Sequence, residues 1–243
     1  NALVFLDYDF DGVLDSDEPS ARTDSSGKYT LISARASYDL VAIADDQTVD
    51  TSSGAALSGV TLKAPSGAGV ITPTTTLMKE GGLSATEVAA VLGLPDDVDP
   101  LNFNPFDAGV DAAKALEVEK VSQQIMTAVS SFASAAEGAG ADSKDAFTAA
   151  LNSVVEVVKS KAGSASAADK KLDFTKASDL ALIKSKVTEK AVKLKGVDAA
   201  TVNALVDDTS DAIKNVNDKI ATVADLRSDA TKNIFSTTQV LRD

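Results

Sequence analysis

The sequence predicts an α+β fold, in which a small antiparallel β module precedes a bundle of about four long helices. Two observations indicate this. Residues 1–72 contain short apolar bursts separated by Gly, Ser and Pro turn signals, which is typical of strands. Residues 73–243 contain long stretches with an apolar residue every three or four positions, which is typical of amphipathic helices. We therefore predict two domains, a β module at residues 1–72 and a helical bundle at residues 73–243.

Within the β module, the strand pattern is clearest where Tyr29 and Leu31 alternate with Thr30 and Ile32. An alternation with a period of two places such residues on opposite faces of a sheet. Other short runs with strand character are bounded by turn dipeptides such as Ser26-Gly27. The predicted strands are residues 2–6, 28–33, 38–44, 57–63 and 70–72.

In the second domain, capping signals predict where helices begin and end. Ser84 and Glu87 have the spacing of a capping box. The first long helix is expected to end at residues 138–140, and Ser143 is expected to cap the second. The third covers residues 180–194, and Asp198 is expected to cap the fourth. We expect these apolar faces to pack against one another rather than to form a groove for a partner. Residues 233–243 lose the helical period and are expected to extend away from the bundle.

Composition excludes several classes of function. The chain has 36 acidic against 23 basic residues and a net charge of −13, which disfavours nucleic acid as a partner. It has no Cys and no His, so zinc sites of the usual kind and Ser-His-Asp or Cys-His catalysis are not expected. No apolar run is long enough to insert into a membrane. We expect a protein that is not an enzyme; a hydrolase or lyase using carboxylates alone would need a pocket of converging Asp and Glu.

The strongest motif occupies residues 7–18, with the sequence DYDFDGVLDSDE. Carboxylates at alternate positions, a glycine at position six and a glutamate at position twelve match the spacing of an EF-hand calcium loop. The glycine permits the sharp turn. The alternative is a solvated acidic turn after a strand. The predicted calcium ligands are Asp7, Asp9, Asp11, Val13 through its main-chain carbonyl, Asp15 and Glu18.

Two weaker candidates for cation binding remain open at this point. The stretch between residues 96 and 107 is rich in side-chain oxygens, but prolines interrupt its spacing and it has no glycine at the turn. It binds a second calcium ion or forms a capped loop before the next helix. Asp24 either adds to a calcium site or makes a local turn. The oxygen-bearing residues of the longer stretch are Asp96, Asp97, Asp99, Asn102, Asn104 and Asp107.

The segment VFLDYDFDGVLDSDEPSARTDSSGKYTL resembles the calcium-binding B-type repeats of bacterial serine-aspartate adhesins. Those repeats have a strand, a calcium loop and then a T-D-x-x-G-x-Y-x-L strand, which Thr23, Asp24, Gly27, Tyr29 and Leu31 match here. The resemblance covers about residues 3–45. Residues 69–107, GVITPTTTLMKEGGLSATEVAAVLGLPDDVDPLNFNPFD, are similar to a helical segment that follows such modules in very large secreted adhesins of Gram-negative bacteria. The resemblance to B-type repeats implies that calcium rigidifies the β module. We find no convincing set of partners for an isopeptide bond.

The resemblance implies an extracellular, calcium-stabilised structural or adhesive module at a bacterial cell surface or in a matrix. Its expected partners are other copies of itself, neighbouring domains of the same protein, or cell-surface and glycan ligands. The sequence begins at Asn1 inside a predicted strand, so we expect it to be a piece of a longer protein. The alternative is a filament subunit that assembles in a calcium-dependent way, with either end of the chain completing a neighbour's sheet.

Overall fold

The computed structural model describes residues 1–50, 54, 56–57 and 59–240, and it confirms the α+β fold. The strands are β1 (Leu3–Asp7), β2 (Ser20–Arg22), β3 (Asp39–Ile43), β4 (Thr48–Val49), β5 (Ala56–Leu57) and β6 (Thr61–Pro65). The four-stranded antiparallel sheet has the order β2-β1-β3-β6, and a separate two-stranded ribbon joins β4 to β5.

The first strand, β1, lies inside the sheet because both of its edges are paired. Phe5 stands opposite Ser20 of β2 on one side and opposite Val41 of β3 on the other. Phe5 and Val41 are both fully buried. To donate β1 to a neighbouring molecule, the chain would have to break its main-chain hydrogen bonds to both β2 and β3. The sequence alone did not show this energetic cost.

Two predicted strands are wrong, and the strand predicted at residues 57–63 is divided, because residues 56–57 join the ribbon as β5 and residues 61–65 join the four-stranded sheet as β6. Residues 28–33 have an irregular backbone and join no sheet, although Tyr29 and Leu31 do pack against the apolar cluster on one face of the four-stranded sheet. Residues 70–72 are also irregular, because Thr72 instead caps the first helix. The edge strand β2 was missed, since its three residues are too few to display a period of two.

The other edge of the sheet is covered by the first helix, α1 (Pro73–Gly81). The main-chain N–H of Lys63 in β6 donates to the Thr76 hydroxyl at 2.9 Å. The hydroxyls of Thr75 and Thr76 each donate to the Lys63 carbonyl at 3.1 Å. Because these side chains take the place of a neighbouring strand at Lys63, that position of the edge is closed to further pairing.

The predicted bundle of four long helices is present in the second half of the chain. The helices after α1 are α2 (Ala85–Leu92), α3 (Ala112–Gly138), α4 (Ser143–Ala162), α5 (Ala167–Lys170), α6 (Ala177–Ala191), α7 (Ala199–Ala221) and α8 (Asp229–Val240). The four long helices form a ring in which each packs against two others, α3 with α4, α4 with α6, α6 with α7 and α7 with α3. Phe132, Ile183 and Ile213 are fully buried inside this ring.

The apolar core is continuous between the β module and the helices. Ala44 and Val60 belong to the same buried cluster as Leu77 of α1 and Phe132 of α3. The division into domains at residues 72 and 73 therefore stays a prediction. Within the described residues, no helix combines the length and apolar character needed to cross a membrane.

The prediction for the C-terminal tail was wrong over its described part. Residues 233–240 belong to α8, and Phe235 is only 1% exposed, packing with Val216 and Ile220 of α7. Residues 241–243 lie outside the described residues.

A second correction concerns the start of α4. Its cap is Asp142 rather than Ser143, since the Asp142 side chain accepts a hydrogen bond from the N–H of Lys144.

Two glycines explain how the turns at one end of the bundle fit together. Gly140 follows α3 with φ +106°, and Gly196 precedes α7 with φ +85°. A Cβ at Gly140 would stand 2.6 Å from the Gly196 carbonyl oxygen. The two turns also share a hydrogen bond of 3.0 Å from the Asp198 N–H to the Ala139 carbonyl. A side chain at Gly140 would therefore push two backbones apart.

We expect Gly140→Ala to be more destabilising than Gly82→Ala by about 1–2 kcal/mol, measured by urea unfolding. Both glycines have positive φ, so both changes carry the cost of a left-handed alanine. Only Gly140 faces another backbone, because nothing lies within 4 Å of a Cβ at Gly82. Equal losses of stability for the two variants would show that the turns can separate freely.

Candidate metal centre

The acidic loop connects two neighbouring strands of the sheet. Its first residue, Asp7, is the last residue of β1, and Glu18 lies two residues before β2 begins. Asp7 is 1% exposed and Glu18 is 8% exposed. Both ends of the loop are thus held by antiparallel pairing, and their carboxylates lie inside the protein.

Asp7 shapes the loop through main-chain hydrogen bonds. Its Oδ1 accepts from the N–H of Phe10 at 2.7 Å, and its Oδ2 accepts from the N–H of Gly12 at 2.8 Å. Gly12 has φ +76°, which allows the chain to reverse there. One buried carboxylate therefore organises the first half of the loop, and each of its oxygens keeps a lone pair for another partner.

Three carboxylates converge at this turn. Oxygen atoms of Asp7, Asp9 and Asp11, one from each residue, all lie within 4.8 Å of one another. Local hydrogen bonds orient the two exposed members: Asp9 accepts from the N–H of Asp11 at 3.3 Å, and Asp11 accepts from the N–H of Val13 at 2.7 Å. These three side chains can hold a metal ion, and their hard oxygen ligands suit a cation such as Ca²⁺ or Mg²⁺.

The other predicted ligands lie outside this group. Val13 is 51% exposed, and Asp15 is exposed as well. Glu18 connects the two halves of the loop, because its Oε1 accepts from the N–H of Tyr8 at 2.6 Å and its Oε2 accepts from the N–H of Asp15 at 3.0 Å. The roles of Val13, Asp15 and Glu18 as ligands stay predictions.

Mutual repulsion among the aspartates of the loop opposes the ionisation of all of their carboxyl groups at once. The pKa of Asp9 is raised, first because the carboxylate is partly withdrawn from water and then because Asp11, Asp15 and Asp7 repel a further charge. The hydrogen bond from the N–H of Asp11 acts in the opposite direction and lowers the pKa of Asp9. A bound divalent cation would reverse the repulsion, because it favours the ionised form of every carboxylate around it.

A lysine from a neighbouring helix also approaches the loop, which sequence reasoning missed. Lys79 of α1 pairs with Asp39 at 2.6 Å and lies 5.3 Å from the centre of the Phe10 ring. Asp39 stands directly opposite Asp7 in the β1–β3 register and is 4% exposed. Two buried carboxylates therefore sit side by side, one held by main-chain amides and one by a lysine. No spacing in the sequence signals this pair, since it forms between separate elements.

Phe10 has an unusual backbone conformation for an aromatic residue. Its φ is +67°, the only positive φ of a non-glycine residue within the described part of the chain. Its side chain is 50% exposed, so burial does not explain the conformation. The turn around the three carboxylates imposes it, and the strain amounts to roughly 1–2 kcal/mol.

We expect Phe10→Gly to be about 1 kcal/mol more stable than Phe10→Ala, the reverse of the usual order of these residues. Both variants lose the contact between the ring and Lys79, so the comparison isolates the backbone. Urea unfolding of the two variants measures it. An alanine variant as stable as the glycine variant would mean that the loop relaxes out of the left-handed conformation.

The weaker candidates have other partners. Asp24 accepts from the N–H groups of Ser26 and Lys28 at 2.7 and 2.9 Å, so it forms a local turn, and these bonds lower its pKa. In the stretch between residues 96 and 107, side-chain amides donate to carboxylates, Asn102 to Asp99 and Asn104 to Asp107. The helix that follows this stretch, α3, is capped by Asp111. Among the described residues, only the group at Asp7, Asp9 and Asp11 brings three such ligands together.

The chain was compared with protein-family models, with curated proteins and with solved structures, and none of the three comparisons found a match. The resemblance to B-type adhesin repeats therefore rests on the residues that carry it. What the structure adds is the convergence of three carboxylates at the end of a paired strand.

Proposed function

We propose that residues 7–18 bind one calcium ion, and that this ion stabilises a structural or adhesive module that works outside a bacterial cell. The observation that carries the proposal is the group of three carboxylate oxygens within 4.8 Å, anchored by Asp7 at 1% exposure. Carboxylates held this close repel one another unless a cation lies between them. A bound ion would hold the end of β1 and the start of β2 together, where the loop joins the two strands.

The number and kind of ligands favour calcium over magnesium. Asp7, Asp9 and Asp11 together with Asp15, the Val13 carbonyl and Glu18 offer six or more oxygens. Calcium accepts six to eight oxygen ligands in a flexible geometry, whereas magnesium usually retains several waters. Each oxygen of Glu18 already accepts one main-chain hydrogen bond, and a carboxylate has about four acceptor positions, so the same oxygens can also face an ion.

Titration calorimetry tests the ion and its site. We expect demetallated protein to bind one calcium ion with a dissociation constant of roughly 10⁻⁴ to 10⁻³ M, the range of extracellular modules. Asp9→Ala is expected to abolish the binding heat. Asp17→Ala is the matched control, since it removes one carboxylate of the same loop that is paired with Arg35 and holds no predicted ligand position. Absence of heat in the unmodified chain would refute the site.

The location is tested separately from the ion. Antibodies against the chain are used to probe the surface, the medium and the interior of the cells that produce it. We expect the protein at the surface or in the matrix, released in part when calcium is chelated, because the ion stabilises the folded module. Recovery from the cell interior alone would contradict the extracellular role while leaving calcium binding intact.

A further inference from the structure

Two lysine–carboxylate pairs join α1 to the sheet beside the acidic loop. Lys79 of α1 pairs with Asp39 of β3 at 2.6 Å, and Lys63 of β6 pairs with Glu80 of α1 at 2.9 Å. These four side chains are between 6% and 31% exposed. Charges that are largely withdrawn from water are screened less than surface charges, so they act more strongly on groups nearby.

Both lysines also lie against the loop itself. The Lys79 ammonium is 5.3 Å from the centre of the Phe10 ring. A Cβ at Gly12 would stand 3.9 Å from the Lys63 ammonium. Two positive charges from outside the loop therefore adjoin the turn that carries the three converging carboxylates.

Asp39 lies beside Asp7, the buried member of that group. The two residues stand directly opposite each other in the β1–β3 register, and residues in such positions have Cβ atoms about 4.5–5.5 Å apart. They are 4% and 1% exposed. Like charges directly opposite each other repel, so Asp39 makes the potential at Asp7 more negative, and the ammonium of Lys79 offsets this.

A divalent cation held at Asp7 would interact with both charges of the Lys79–Asp39 pair. Asp39 attracts such an ion and Lys79 repels it. The pair belongs to α1 and β3, outside residues 7–18, so its charges change the affinity of the loop without supplying any of the predicted ligands.

We propose that Asp39 and Lys79 regulate the affinity of the acidic loop for its calcium ion, which couples ion binding to the packing of α1 on the sheet. This inference rests on the proposed calcium site. Coupling free energies are reciprocal: the bound ion reduces the contribution of Lys79 to stability by the same amount as Lys79 reduces the affinity for the ion.

Titration calorimetry of the full chain with calcium chloride tests the proposal. Lys79→Met is expected to bind calcium at least about fivefold more tightly than the unmodified chain, and Asp39→Asn at least about fivefold more weakly, since couplings between sites usually span about 5–150-fold. The double variant removes both charges, and its affinity is expected to lie between those of the single variants. Lys79→Arg retains the charge and is expected to stay within about twofold of the unmodified chain.

The matched controls are Lys214→Met and Asp218→Asn. These residues form a salt bridge of 2.7 Å within α7, and both side chains are partly exposed. Each control therefore changes the net charge of the chain by the same amount as its counterpart, but on another helix. Both controls are expected to bind calcium within about twofold of the unmodified chain.

Urea unfolding of Lys79→Met gives a second measurement of the same coupling. A fivefold difference in affinity corresponds to about 1 kcal/mol. Because the variant is expected to bind calcium more tightly, its loss of stability is expected to be about 1 kcal/mol smaller in saturating calcium than in chelator. A purely structural role of the pair would give the same loss in both conditions.

The outcomes distinguish this proposal from the calcium site on which it rests. Calcium affinities of Lys79→Met and Asp39→Asn that equal that of the unmodified chain, or shifts that the α7 controls share, would overturn the regulation and leave the site intact. If Lys79→Met does not fold, Asp39→Asn decides alone, since it leaves no buried charge unpaired. Absence of binding to the unmodified chain would refute the calcium site itself.

Discussion

Saturating calcium is expected to raise the midpoint of thermal unfolding of this chain by about 5–10 °C. With a dissociation constant near 10⁻⁴ M and calcium near 10 mM, mass action adds about 2.7 kcal/mol to the folded state. For a chain of 150–250 residues, each kcal/mol moves the midpoint by about 2–4 °C. Scanning calorimetry with calcium and with a chelator measures the shift.

Variants at the loop distinguish specific calcium binding from general screening of the negative surface charge by salt, which also matters in a chain with a net charge of −13. Asp9→Ala is expected to lose the calcium-dependent shift, whereas Asp17→Ala is expected to retain it. Sodium chloride at equal ionic strength is expected to produce a much smaller rise, since screening weakens repulsion without occupying the site. A shift of equal size in all of these samples would show that calcium acts on surface charge alone, and the proposed site would be wrong.

Lys79→Met is expected to destabilise the protein by about 2–3 kcal/mol. The change removes the partner of Asp39, whose side chain is 6% exposed, and leaves a buried carboxylate beside the equally buried Asp7. Breaking a buried ion pair from one side costs about 3–5 kcal/mol, and we expect less here because the Lys79 side chain is 31% exposed and partly solvated. Urea unfolding in the presence of a chelator measures the effect without the contribution of an ion.

The matched variants are Asp39→Asn and the double variant. Asp39→Asn alone is expected to cost less than about 1 kcal/mol, because the lysine left behind can reach water. The double variant is expected to be more stable than Lys79→Met, since it no longer buries an unpaired charge. If Lys79→Met were as mild as Asp39→Asn, the carboxylate of Asp39 would have to find water or another donor, and the pairing would not hold α1 to the sheet.

Much of the fold was predictable because helices produce local patterns in the sequence. The apolar period of α3 runs over 27 residues, and the capping box of Ser84 and Glu87 is present as predicted. Asp198 caps α7 by accepting from the N–H of Thr201, again as predicted. These signals depend only on residues within a few positions of one another, so the sequence displays them directly.

Strands were less predictable, since a strand must pair with another segment and the local sequence does not show which one. The alternation in residues 28–33 is real, and the structure uses it to cover an apolar cluster, yet no neighbour completes a ladder there. The short strand β2 shows the converse case. It has no pattern of its own and forms because the acidic loop returns the chain to the edge of β1.

For the candidate metal centre, the sequence alone determined which carboxylates lie in one turn, because Asp7, Asp9 and Asp11 alternate just before Gly12. It also determined the net charge of −13 and the absence of Cys and His, which restrict the ligands to oxygen. Only the tertiary structure decided that Asp7 is buried, that Asp39 stands beside it, and that Lys79 of α1 neutralises that neighbour. The physical reason is range: a turn is set by adjacent residues, whereas burial and ion pairing depend on elements that meet only when the chain has folded.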